Sequence, residues 1–376
     1  MTDPVFWIAA ACLVLLVFVR LFFWLFVFTG WWRHSKQAKI STDLPPVSVI
    51  IAARNEENNL RRHLPAVLEQ DYPDYEVIVV DDCSDDNSRE VLNRFALDSD
   101  KLYITWVPKA GKFRRGKKVA VSIGIRAANH EHMVFIDADC SPASKNWLRY
   151  MAGSFRKGSE IVLGYGSYEH KQGVLNAMLR YDTLLIAMMY GGMATRIKPY
   201  MGVGRNLAYK KSLWLQRGGF KGFNNVLSGD DDLFVNACAT KNNTAVVLLA
   251  EAKTISRPPV TIIQWIQQKS RHMTSSKHYK AWQRFLLAAE PVSRSITPFV
   301  LMGIYCLYPE RIYMYVLIAV WVLLKFIQFF VLHKSRKYTG EKKLFPYFPL
   351  IDLFLPFFYV IFVLVRLRQR NNIVWK

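Results

Sequence analysis

The stretch Val134–Cys140, V-F-I-D-A-D-C, constrains this chain more tightly than any other. Three apolar residues, with the breaker pair Ser141-Pro142 close behind, read as a short buried strand that stops at Asp137-Ala138-Asp139. Carboxylates are rarely buried without a partner, so two of them at the end of a core strand call for a counter-charge. Successive side chains on a strand point to opposite faces, but the turn that follows lets both converge on one hard cation. Magnesium or manganese takes one or two carboxylates and completes its shell with water and phosphate oxygens. Two solvated loop aspartates are the plainer alternative, and a lone D-x-D does not choose between them.

The same pattern recurs upstream. Val47–Ala53 is a β-branched run of the kind buried on both faces in a parallel sheet, and it ends at Arg54-Asn55-Glu56. Glu76–Val80 is a second such run, ending at Asp81-Asp82, and Leu102–Val107 a third. Helical spacing separates them: Leu60, Leu64, Val67 and Leu68 on one face, then Val91, Leu92 and Phe95, then Val119, Ile123 and Ala127. Alternating strands and helices build right-handed crossovers, hence an α/β fold with an open, mostly parallel sheet and helices on both faces. Ligands of such sheets bind beyond the carboxyl ends of the strands. Asn55-Glu56, Asp81-Asp82 and Asp137/Asp139 therefore crowd one crevice, which needs a cation and basic side chains. Arg54, Arg114, Arg115, Lys117 and Lys118 are the nearest in sequence.

The excess of apolar residues, 52% of the chain, sits at its two ends. Val5–Phe28 is long enough to cross a bilayer and has neither a basic leader nor a small-residue cleavage site, so it reads as an uncleaved anchor. Ile296–Tyr308 with its flanks, Ile312–Leu332 and Phe348–Leu367 bring the expected spans to four, with Pro349, Asp352 and Pro356 leaving a re-entrant path open for the last. The formal charge is +21, and its bases flank the spans: Arg33, Lys36 and Lys39, then His333–Lys337 and Lys342-Lys343. The positive-inside rule puts these flanks and the central domain in the cytoplasm, against anionic lipid headgroups, making this an integral protein of the cytoplasmic membrane. The tail Arg366–Arg370 conflicts with that rule if all four segments cross. No basic stripe with interleaved aromatics occurs, which argues against a nucleic-acid partner. Five scattered cysteines carry no zinc or disulfide spacing. The expected division is an anchor (1–30), a basic linker (31–45), a central domain (46–275), an interfacial linker (276–295) and a C-terminal membrane region (296–376).

From Pro46 to Met273 the chain resembles the inverting family 2 glycosyltransferases of the GT-A fold. The resemblance rests on V-S-V-I-I-A-A-R-N-E (Val47–Glu56), V-V-D-D-C-S-D-D (Val79–Asp86), G-K-K-V-A-V-S-I-G-I (Gly116–Ile125) and F-I-D-A-D (Phe135–Asp139). Further on come G-R-N-L-A-Y-K-K (Gly204–Lys211), G-D-D-D-L (Gly229–Leu233) and Q-K-S-R-H (Gln268–His272). Each is weak alone; their order and gaps carry the likeness. It implies a nucleotide-sugar donor, UDP-linked by expectation, contacted by Ala53, Asn55, Glu56, Asp81, Asp82, Lys117, Asp137, Gln268 and Arg271. It also implies a divalent metal on Asp137 and Asp139, and an acceptor near Arg205, Asn206 and His272. His272 stands where the family has Trp, which puts acceptor placement in doubt.

Transfer needs a base for the acceptor hydroxyl, and like-charged neighbours raise a carboxyl's pKa toward a useful value. The family pattern points to Asp231, with Asp230 as runner-up because Leu233 sits one place nearer than in some relatives. The same acids also suit a helix N-terminus. Val174–Met189, rich in methionine at helical spacing, reads as core first and as a surface for lipid or a lipid-like acceptor second. The implied acceptor is a lipid, a lipid-linked glycan or a polysaccharide. Three rivals stand beside a single transfer: a processive polysaccharide synthase, a non-catalytic scaffold with a nucleotide pocket, and a transporter suggested by Arg20, Lys325 and Asp352 inside apolar segments.

Overall fold

The computed structural model describes residues 3–37, 44–108, 116–155, 158–224, 226, 229–342 and 348–368. The chain opens with α1 (Pro4–Leu21), a π-helical segment (Phe22–Val27) and α2 (Trp32–Gln37). The central domain runs β1 (Val47–Ala53), α3 (Glu57–Leu68), β2 (Tyr75–Asp81), α4 (Ser88–Asp98), β3 (Leu102–Trp106), α5 (Lys117–Ala127) and β4 (His132–Phe135). It continues with β5 (Cys140–Pro142), α6 (Trp147–Ala152), β6 (Ile161–Gly164), β7 (Gly166–Tyr168), α7 (Val174–Arg196), β8 (Leu207–Lys210) and α8 (Lys211–Gln216). Then come α9 (Asp232–Cys238), β9 (Thr244–Val247), β10 (Thr254–Ser256) and α10 (Ile262–Ser276), and the chain ends with α11 (Ala281–Leu307), α12 (Arg311–Thr339) and α13 (Phe348–Arg368).

Seven strands form one sheet in the order β3-β2-β1-β4-β8-β6-β9. The first four are parallel, as the strand–helix alternation predicts; β8 runs antiparallel between β4 and β6. Register decides where the acids go. Ala53 faces Asp81 and Asp81 faces Trp106, while Phe135 lies beside Leu207 and two residues short of Asp137. The ends of β1, β2 and β4 and the start of β8 therefore share one edge of the sheet. A second, three-stranded sheet, β5-β10-β7, follows directly from that edge.

Side chains of β1 alternate between two cores: Ile50 packs with α5 and α7, while Val47, Val49 and Ile51 pack with α3, α4 and α6. Each such fully buried aliphatic side chain contributes about 1.5–3 kcal/mol. The methionine-rich helix α7 is core on nearly every side: Met178, Met188, Met189 and Met193 are all buried, and a lipid-facing role for that stripe is not met. A Cβ on Gly192 would stand 2.0 Å from the Val27 carbonyl oxygen, so glycine lets α7 touch the π-helical segment backbone to backbone.

Three helical stretches are long and apolar enough to cross a membrane: Pro4–Lys36, Ala281–Leu307 and Arg311–Thr339. Large apolar side chains on them face outward, among them Ile8, Val14, Phe18, Phe299, Ile318 and Phe326. Two expectations change here. The stretch read as an interfacial linker is helical from Ala281 onward and forms the first part of α11. The fourth segment carries a shorter apolar stretch, Phe354–Val365, and packs Phe358 and Phe362 against Trp265 of α10.

Of the three internal charges that allowed a transport reading, Lys325 and Asp352 form an ion pair and Arg20 joins them through Gln328. Asp352 of α13 accepts from Gln328 Nε2 at 2.7 Å, Arg294 Nη1 at 3.0 Å and Tyr181 Oη at 3.1 Å, and is ion-paired with Lys325. Arg20 Nη2 donates to Gln328 Oε1 at 3.1 Å. One carboxylate thus ties α7, α11, α12 and α13 together and reaches α1 through Gln328.

Candidate active site

A small hollow opens at the carboxyl edge of the sheet, lined by Ala52, Ile136, Asp137, Lys117, Gly204, Asp230 and Asp231 among others. Five separate stretches meet there because the register aligns β1, β4 and the start of β8, while α5 and α9 begin beside them. Lys117, first residue of α5, places Nζ 2.7 Å from Asp137 Oδ1 and 3.5 Å from Asp230 Oδ2. Against the burial that would lower it, Asp137, Asp230 and Asp231 hold this ammonium well above the usual lysine range. Lys118 turns the other way and donates to the Phe223 carbonyl at 2.9 Å and to that of Val226.

Asp231 caps α9. Its Oδ1 accepts the Asp232 N–H at 2.7 Å and its Oδ2 accepts the Gly204 N–H, also at 2.7 Å. Burial first, then the charges of Asp230 and Asp232, raise its carboxyl to about 7. Asp232 points away into the protein, where Tyr279 Oη donates to it at 2.7 Å and Ser275 donates beside it. Of the three consecutive acids, two face the hollow and the third anchors α9 to α10. Gly204 closes one wall: a Cβ there would lie 3.2 Å from both Asp231 Oδ2 and Lys117 Nζ.

Asp137 and Asp139 are both half-buried, and their carboxylate oxygens and the Cys140 sulfur lie within 4.8 Å of one another. Burial and then the Asp137 charge push Asp139 up. Burial, followed by Asp139 and Asp137, pushes the Cys140 thiol well above its ordinary value, so it stays protonated. The donors left are hard carboxylate oxygens that repel each other, which suits magnesium or manganese.

The nucleotide residues expected at the other strand ends separate into two groups. Glu56 stands close enough to Asp139 and Asp137 that, after burial, both add to its raised pKa. Asn55 is held at φ +55 and its Oδ1 accepts the Asp85 N–H at 2.8 Å, stitching the ends of β1 and β2 together. Ala53 is 1% exposed and its carbonyl accepts the Asp82 N–H, so it lies behind the surface rather than on it. Asp81 and Asp82 are buried at the end of β2, outside the hollow, and Asp81 Oδ1 accepts the Ser84 N–H at 3.0 Å. Arg114 and Arg115 lie outside the described residues.

On the acceptor side Asn206 is turned inward. Asn206 is 0% exposed; it donates to the carbonyls of Tyr165 and Ala252 and accepts from Trp147 Nε1. No polar atom remains to meet a ligand, and its role is to join β6, α6 and the strands above the sheet edge. Arg205 clamps the small sheet, donating to Gly166 O at 2.7 Å and Ser256 Oγ at 3.0 Å with its guanidinium 4.9 Å from the Tyr168 ring. Gln268 accepts from Tyr168 Oη at 2.8 Å. Arg271 and His272 are exposed on α10. Desolvation in the crowded cleft mouth, then Lys269, Arg205, Arg271 and Lys117, hold His272 well below the usual histidine range. Its imidazole is therefore neutral at pH 7, within a cationic rim that faces the acids.

Tyr279, Ser275 and Tyr168, which support the acids and the rim, were not singled out from the sequence: they act through hydroxyls far away in the chain, and no local spacing marks them. Gly204 opens the G-R-N-L-A-Y-K-K segment, but its N–H contact to Asp231 is not legible there.

Comparison with known proteins bears on this arrangement. Residues 48–221 match the family model described as Glycosyl transferase family 2. The probable glycosyltransferase YdaM of Bacillus subtilis (strain 168) is 27% identical over 271 residues, covering 68% of this chain and 63% of that protein. Glycosyltransferase AglE of Haloferax volcanii is 32% identical over 160 residues, 42% of this chain and 51% of that one. The chain thus spans between half and two thirds of these relatives. The mannosyltransferase PcManGT from Pyrobaculum calidifontis, solved with GDP-Man and Mn2+, shares the fold over 97% of this chain and 99% of that one, with a TM-score of 0.60 at 18% identity. Residues 48–221 of this chain thus carry a family 2 glycosyltransferase domain, in a fold of the GT-A type.

Proposed function

We propose that the protein is a membrane-bound inverting glycosyltransferase, moving a sugar from a nucleoside-diphosphate donor to an acceptor hydroxyl held at the cytoplasmic face of the membrane. The observation that carries this is the hollow in which Asp231, with its carboxyl raised to about 7, stands beside Asp230, Asp137 and one ammonium. Asp231 takes the acceptor proton as the hydroxyl attacks the anomeric carbon opposite the leaving diphosphate. The backbone N–H groups of Gly204 and Asp232 orient its carboxylate for that task. Asp230, ion-paired to Lys117, is one of the neighbours whose charge raises the Asp231 pKa. Asp137 and Asp139 hold the divalent cation, whose charge when bound stabilises the departing nucleoside diphosphate. Arg271, Lys269 and Arg205 set a positive field for the phosphates, and Asp81 and Asp82 lie at the strand end on the nucleotide side.

A topology of three crossings accounts for the basic tail. Phe6 packs on Tyr308 and Tyr313 at one end of the bundle, while Trp32 Nε1 donates to Ser335 Oγ at 3.0 Å at the other. The start of α1 therefore sits with the turn between α11 and α12, opposite the catalytic domain. With α13 lying along α10 rather than crossing, the central domain and the bases after α12 fall on the cytoplasmic side. Two crossing helices after the domain, joined by a closed polar network, favour single transfer over threading of a growing polymer. Purified protein in nanodiscs, given radiolabelled nucleotide-sugars, metal and membrane lipid extract, tests the proposal. Label must move to the lipid phase in wild type and not in Asp231→Asn. Transfer by that variant at the wild-type rate would remove the assigned base.

A further inference from the structure

Among the described residues that line the hollow, Lys117 carries the only ammonium, and it sits on a prospective metal ligand. Its Nζ is 2.7 Å from Asp137 Oδ1, inside a group of acids that also includes Asp139, Asp230 and Asp231. A divalent cation bound by Asp137 and Asp139 would meet that ammonium at a few ångströms, where like charges repel by several kcal/mol even at an effective dielectric of about 20. The two cations therefore compete for Asp137. The local construction lets the ammonium go without moving the helix: Lys118 pins the start of α5 to the carbonyls of Phe223 and Val226, so only the four-carbon stem of Lys117 need turn. Gly204 closes the side it faces.

Resting on the proposed reading of the cleft, we propose that Lys117 is a built-in substitute for the divalent cation, occupying Asp137 until metal and a nucleoside diphosphate arrive. The cation then displaces the ammonium, and the diphosphate offers it new anionic partners. Metal and nucleotide binding are thereby coupled through one side chain, and the coupling is reciprocal. Metal alone binds weakly, because it must break the Lys117–Asp137 pair and leaves the ammonium only its longer contact with Asp230, with no new anionic partner. Nucleotide supplies that partner and tightens the metal.

Free Mn2+ measured by electron paramagnetic resonance on the full-length protein in nanodiscs, with and without UDP or GDP, reads this directly and needs no turnover. Wild type is expected to bind Mn2+ weakly alone and more tightly with nucleotide. Lys117→Gln is expected to bind Mn2+ alone about tenfold tighter or more, with most of the nucleotide effect gone, while Lys117→Arg stays as weak as wild type. Lys117→Met gives the same answer if the glutamine variant melts abnormally. Mn2+ binding by both neutral variants that is no tighter than wild type overturns the proposal. Asp139→Asn separates the two levels. If it abolishes Mn2+ binding while Lys117→Gln changes nothing, the exchange is wrong and the metal site stands; if it leaves Mn2+ binding intact, the metal reading falls with it.

Discussion

Replacing Asp231 by Asn removes the proposed base while changing the shape of the side chain hardly at all. The amide oxygen keeps one of the two N–H groups now bound, from Gly204 or Asp232, and turns its NH2 toward the other. That mismatch costs about 1–3 kcal/mol. An opposing gain follows from the charge. Raising a buried carboxyl from 3.8 to about 7 costs the folded state at most about 4 kcal/mol above that pH. The native protein binds more protons here than the unfolded chain between about pH 4 and 7, so its stability falls as pH rises through that window, and the variant escapes the fall. The two effects nearly offset, and Tm at pH 8 should move by only a few degrees. Activity should not be spared, because losing a general base costs about 10² to 10⁴ in rate. In wild type, kcat/KM should drop about tenfold per pH unit below about 7. In the variant the profile should be flat and about a thousandfold lower, with nucleotide affinity unchanged. Label transfer to acceptor across pH 5–9, alongside equilibrium binding of UDP and GDP, measures both. An acidic limb near pH 4, or a variant within tenfold of wild type, would refute the assignment.

Tyr279→Phe removes the 2.7 Å hydroxyl donor from buried Asp232. It should lower stability by about 1.5–3 kcal/mol and reduce kcat more than donor KM by loosening the start of α9, seen in thermal melts and kinetics. Gly204→Ala pushes a methyl to 3.2 Å from Asp231 Oδ2 and Lys117 Nζ, so kcat should fall while melting temperature changes little. Asp352→Ala leaves Arg294 and Lys325 without their shared carboxylate. The cost should be about 3–5 kcal/mol, with α13 released from α7 and newly open to protease in detergent. Chelation by EDTA should stop transfer, and Mn2+ should restore it in wild type but not in Asp139→Asn.

The half of the domain that binds at strand ends was legible because its information is local. β-branched runs, helical spacing and acids at three strand ends place β1, β2 and β4 and their shared edge without any long-range knowledge. The antiparallel β8 carries no comparable mark, and neither does the three-stranded sheet above the edge. Asn206 shows the limit of motif transfer: in G-R-N it reads as a ligand contact, yet burial and three hydrogen bonds make it a tie between strands. Arg20, Lys325 and Asp352 show a second limit. Arg20 stands 308 residues before Gln328, which hides the fact that Gln328 and Asp352 join it to Lys325. Hydropathy alone likewise left the course of the last segment open; the contacts of Phe358 and Phe362 with Trp265 put α13 beside α10.

A cryo-EM map of the protein in nanodiscs with Mn2+ and a non-hydrolysable nucleotide-sugar would test the shared hollow most directly. Density for the metal should touch the carboxylates of Asp137 and Asp139, the nucleoside should lie toward Asp81 and Asp82, and the sugar should reach the side where Asp231 waits. Nucleotide bound at any other surface, with those acids facing only solvent and Lys117, would contradict it.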